Sequence, residues 1–82
     1  MRRIRYRFRR HRGCWGRAWP HESRIEIDPA LADKSLLDVL LHEGLHVVFP
    51  IIDEETINEA GTSLADLLWR IGFRLKDKDE DD

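Results

Sequence analysis

Leu36-Leu37-Asp38-Val39-Leu40-Leu41-His42-Glu43-Gly44-Leu45-His46-Val47-Val48-Phe49-Pro50 is the stretch that decides how this chain is read. It is apolar on too many sides for a surface helix, so it is expected to run through the centre of the fold, covered on several faces. Pro50 marks its end. Ser35 followed three residues later by Asp38 gives a capping-box-like start, with the helix beginning near Asp33 to Ser35. Inside this helix lies His42-Glu43-Gly44-Leu45-His46, an HExxH pattern. Histidines four residues apart stand one above the other on one helix face, so both imidazoles can reach a single zinc ion. Glu43 is then placed to take a proton from a water on that ion. Gly44 costs about 1 kcal/mol in a helix interior relative to alanine. That cost implies either room for a strand or substrate, or close packing of a neighbouring segment.

Downstream, Asp53 is a good N-cap, and Glu54 and Glu55 occupy a first turn that favours acids. The apolar stripe of this second helix reads Ile57, Ala60, Leu64, Leu68 and Ile71, with Leu67 alongside, and Gly72 ends it. So short a connection between the helices implies an antiparallel hairpin. Upstream, Ile4-Arg5-Tyr6-Arg7-Phe8-Arg9 alternates apolar and basic residues, the period-two signature of a strand burying Ile4, Tyr6 and Phe8. Arg24-Ile25-Glu26-Ile27-Asp28 alternates again, and Asp28-Pro29 ends it. Between them, Trp15-Gly16-Arg17-Ala18-Trp19 reads as a loop or irregular strand with two aromatic anchors. The expected class is α+β, a small antiparallel sheet packed on an antiparallel two-helix hairpin.

The chain has 82 residues, enough for one domain and too few for two. Residues 1–74 are expected to form that domain, and 75–82 an acidic disordered tail. A core this small often needs a staple. The single cysteine, Cys14, rules out an intramolecular disulfide, whereas a bound metal would serve. No apolar run follows the charged N-terminus, and no segment reaches transmembrane length, so a cytoplasmic protein without membrane contact is expected. Charge is segregated. From Met1 to Trp19 every charged residue is an arginine: Arg2, Arg3, Arg5, Arg7, Arg9, Arg10, Arg12 and Arg17. Beyond Lys76 the chain is acidic except for Lys78. Such asymmetry signals an interaction arm or two mutually attracting ends.

A catalytic zinc takes three protein ligands and keeps one position open. His42 and His46 supply two, and Glu54, Glu55 and Glu59 compete to be the third. With the centre of the Ile57-Leu64-Leu68 stripe at zero and about 100° per residue, Glu54 lies roughly 60° from it, toward Asn58 and Gly61. Glu55 and Glu59 each lie about 160° away, on opposite sides. The angles favour Glu54. Asn58-Glu59-Ala60, which looks like the glutamate motif of thermolysin-type zincins, favours Glu59.

The HExxH helix, the acid-rich Asp53-Glu54-Glu55 turn and the closing Leu68-Trp69-Arg70-Ile71-Gly72 together resemble a minimal zincin of the ImmA-like or SprT-like kind. They also resemble the small HExxH proteins encoded in phage genomes, for which the compartment would be the host cytoplasm. The resemblance covers roughly residues 24–74. The ImmA-like Glu-x-x-Ala-Asn pattern is matched by Glu54-Glu55-Thr56-Ile57-Asn58, with Ile57 in place of alanine. The resemblance thus implies zinc held by His42, His46 and Glu54. It also implies Glu43 as general base and a protein or peptide substrate cleaved through a zinc-activated water. His21, Arg17 and Tyr6 are candidates to stabilise the oxyanion, and Trp15 to Trp19 is a plausible edge for an extended substrate. A different function is a zinc-stabilised but catalytically silent module that contacts nucleic acid through the arginine strand. A fourth protein ligand such as Asp53 or His21 would favour the silent module.

Overall fold

A computed structural model describes residues 1–78. The alternating segments form three four-residue strands, β1 (Arg5–Phe8), β2 (Gly16–Trp19) and β3 (Arg24–Ile27). Two helices follow, α1 (Asp33–Val48) and α2 (Glu54–Ile71), packed on each other as a hairpin, and the class is α+β. The period-two pattern sorts the side chains: Tyr6, Phe8, Ala18, Ile25 and Ile27 belong to the core cluster with Leu36 and Val47 of α1. Residues 79–82 of the expected acidic tail lie outside the described residues. No helix among the described residues is long and apolar enough to cross a membrane.

The sheet is mixed. Its order is β1-β3-β2, with β2 antiparallel to β3 and β1 parallel to it. The central place goes to the strand with the most deeply buried pair, Ile25 and Ile27, at 3% and 1% exposure. The arginine-bearing β1 and β2 take the edges, where long charged side chains reach water and discourage further strand pairing. The parallel pairing becomes possible because residues 9–23, which include β2, form a long enough crossover.

Two details of the helices depart from expectation. Ala32 occupies the cap position of α1 without a side-chain cap, so Ser35 and Asp38 do not form a capping box, and Asp33 is the acid of the first turn. In α2 the buried residues are Ile57, Gly61 and Ala65, while Leu64, Leu67 and Ile71 are 41%, 41% and 63% exposed. The contact face of α2 is rotated toward its small residues because the helices approach closely there. A Cβ on Gly61 would stand 3.3 Å from the His42 backbone nitrogen and 3.4 Å from its Cα. Close approach does not occur at Gly44, whose nearest neighbour would be the Ile4 side chain at 4.0 Å.

Candidate metal centre

The start of α2 is fixed by chemistry local to its first turn. Asp53 accepts hydrogen bonds from the Thr56 backbone amide at 3.0 Å and from the Thr56 hydroxyl at 2.8 Å. These bonds satisfy an otherwise unpaired helix N–H and hold the Asp53 carboxyl below its ordinary pKa of 3.8, the Thr56 hydroxyl first among the causes. Glu54 is thereby the first residue of α2, directly after the turn that folds the chain back on α1. The same rotation that buries Gly61 carries Glu54 toward the hairpin partner, since residues 54, 58, 61 and 65 share one side of a helix.

Two imidazoles and a carboxylate converge there. Glu54 Oε1 lies 2.7 Å from His42 Nε2, Glu54 Oε2 lies 2.9 Å from His46 Nε2, and the two Nε2 atoms are 3.1 Å apart. A tetrahedral zinc with bonds of about 2.0–2.1 Å would hold its ligand atoms about 3.3 Å apart. To admit such an ion these distances would have to lengthen by about 0.2–0.6 Å, and two His nitrogens with a carboxylate oxygen are a donor set that catalytic zinc accepts. The ion pairs alone explain little of the arrangement, because Glu54 is 69% exposed and exposed pairs contribute about 0–1 kcal/mol. Among the described residues, His42, His46 and Glu54 are the one group of potential ligands so gathered. Glu55 and Glu59 are exposed and not part of it, Asp53 is engaged as the cap, and His21 sits in the short helical turn before β3.

Glu43, one residue on from His42, faces the sheet instead. Gly16 of β2 leaves it space: a Cβ there would stand 2.9 Å from Glu43 Cγ and 2.8 Å from Val39 Cγ1. The Glu43 carboxyl is pushed above its ordinary pKa by burial, opposed by the charges of His42 and His46 and reinforced by Glu54. A shallow cleft of about 240 Å³ opens beside it, walled by Trp15 and Gly16 on one side and by Asp38, His42, Glu43 and Asn58 on the other. β2 is an edge strand, and its first residue, Gly16, lines this cleft.

Tyr6, Arg17 and His21 do not line the cleft. Tyr6 packs on the core, edge-on to Phe8 at 6.1 Å, and Arg17 points to the opposite side of the sheet, paired in register with Glu26. Asn58 is the polar side chain that sequence reasoning did not weigh. Its position one turn after Glu54 on the same helix side was the available signal. Comparison with protein families, curated proteins and solved structures returns no match.

Proposed function

We propose that this chain is a zinc-dependent metallopeptidase of the HExxH type that acts on an extended protein or peptide segment, in the cytoplasm. The observation that carries this reading is the convergence of His42, His46 and Glu54 on one point, with the half-buried Glu43 beside them at a cleft. A zinc ion bound there would polarise the scissile carbonyl and lower the pKa of water. Glu43 serves as general base and then hands the proton to the leaving amine. Burial raises its pKa above the ordinary value, the direction that makes a carboxylate a stronger base. The free edge of β2 offers backbone groups to an extended substrate, and Gly16 lets that strand lie against Glu43. Asn58 is the side chain of the cleft best suited to donate a hydrogen bond to developing negative charge.

The test is zinc content and peptidase activity of the purified chain, with His46→Ala and Glu43→Gln beside it. One equivalent of zinc should bind the native chain and Glu43→Gln but not His46→Ala. Turnover of an unstructured protein substrate should fall about 10²–10⁴-fold in Glu43→Gln. Absence of bound zinc, or full activity in Glu43→Gln, would overturn the reading.

A further inference from the structure

The side of the sheet turned away from the helices has a chemistry that peptide hydrolysis does not use. Register places its side chains in two rows. Arg5, Arg24 and Trp19 form one, and Arg7, Glu26 and Arg17 form the next. Arg17 and Trp19 follow one another on the outward side of β2, and Trp15, at the bend just before the strand, borders both the loop beside this face and the cleft next to Glu43. Glu26 is the one acid in the three strands, and it is turned inward on its own neighbours. One carboxylate oxygen meets His11 Nε2 at 2.7 Å and the other meets the Arg24 guanidinium at 2.6 Å, leaving Glu26 9% exposed. Arg24 in turn lies over the Trp19 ring, 3.8 Å from its centroid. Arg5, Arg7 and Arg17 are all exposed on this face, and the nearest exposed acid, Glu22 in the turn before β3, is paired with Arg24 at 3.2 Å.

Next to this face the β1–β2 loop turns at Gly13, whose φ of +83° is the left-handed conformation that glycine adopts without strain. The turn projects Arg10 and Arg12 beside an open cleft of about 730 Å³, with the Trp15 ring, 59% exposed, as another of its walls. The acid in that cleft, Asp28, is 5% exposed and accepts a hydrogen bond from the Ala30 amide at 2.8 Å.

We propose that this face binds single-stranded nucleic acid, with an unpaired base stacked on Trp15 and phosphates held by the surrounding arginines. Charge complementarity selects a polyanion. An exposed indole between arginines selects one with free aromatic faces, since base–aromatic stacking together with a basic track is how single strands are held without sequence preference. A duplex hides those faces. A membrane surface would call for aliphatic side chains among the arginines, and the outward strand positions carry none.

The test uses the full chain and a labelled oligothymidylate, with a duplex of equal length and phosphatidylserine vesicles as the other arms. Anisotropy is followed from low to moderate salt. Single strand should bind more tightly than duplex or vesicles and should quench tryptophan fluorescence. Trp15→Ala should weaken it roughly tenfold, Trp15→Phe should keep most of the affinity, and Arg10→Ala with Arg12→Ala should flatten the salt slope by about 1.4. Because these residues lie on the surface, circular dichroism should show each variant folded. No binding at low salt would overturn the proposal, as would duplex or vesicles binding equally well with Trp15→Ala indifferent.

Discussion

The inner face of the sheet and the turn end of the helical hairpin are both built against α1, yet they are held in opposite ways. Phe8, Ile25, Ile27 and Val47 meet as apolar surfaces with at most 8% exposure, and their packing holds the chain together. His42 and His46 keep 20% and 24% of their side chains exposed, and Glu54 keeps 69%. Their mutual position is set by residues outside the trio, namely the Asp53 cap and the close approach at Gly61. The site is thus positioned by backbone geometry, and the stability of the fold resides elsewhere.

This contrast is sharpest in a core truncation. Ile27→Ala should cost about 2–5 kcal/mol, which in a domain of this size is a fall in Tm of about 10 °C or more. Thermal unfolding of the two variants decides the point, because a smaller loss than that of metal-free His46→Ala would break the comparison. Gly61→Val comes next. Its new Cβ would press on the His42 backbone, costing about 1–3 kcal/mol and lowering zinc affinity although no ligand has changed. Isothermal titration showing unchanged affinity would mean that the ligands find one another independently of helix spacing. His46→Ala without metal should change stability by less than about 1 kcal/mol, while abolishing any rise in Tm on adding zinc.

The smallest effect concerns Asp53, and it depends on pH. Its carboxyl is held below the ordinary value by Thr56, so the ionised form is the one the folded state prefers. The cap's contribution is therefore full above pH 3.8 and is lost as the pH falls through the lower, folded-state value. The gap in Tm between the native chain and Asp53→Ala should be constant near neutrality and close in acid, and Asp53→Asn should narrow it at neutral pH.

Much of this was legible in the sequence wherever side-chain chemistry repeats with the period of the backbone. The alternation around Tyr6 and Phe8, and again around Ile25 and Ile27, marks β1 and β3. Asp53 and Gly72 bracket α2, and Gly72 adopts the left-handed φ of 114° that its place after the helix requires. The less legible parts are those where the decisive residue is small. Gly16 hides the inward face of β2 because it has no side chain to alternate. Gly61 and Ala65 carry little hydrophobic signal, so the stripe through Leu64 and Ile71 drew attention to a side of α2 that stays exposed. The parallel pairing of β1 with β3 was equally hidden, since it follows from which strand can occupy the buried centre and not from any local pattern. Glu54 was reachable by helical angles, whereas Asn58 became visible as part of the cleft only when both its walls were in place.

The contact at Gly61 also makes the hairpin a gauge. Because a Cβ on Gly61 would crowd the His42 backbone, α1 and α2 lie closer there than a larger residue would allow, and that spacing sets how far the His42 and His46 rings stand from Glu54. An ion with bonds of about 2.0–2.1 Å fits by small side-chain movements. A calcium ion, with bonds of about 2.3–2.6 Å and a demand for six to eight oxygens, is poorly served by two imidazoles and one carboxylate. The spacing that an ion would meet is thus written into a position that has no side chain at all.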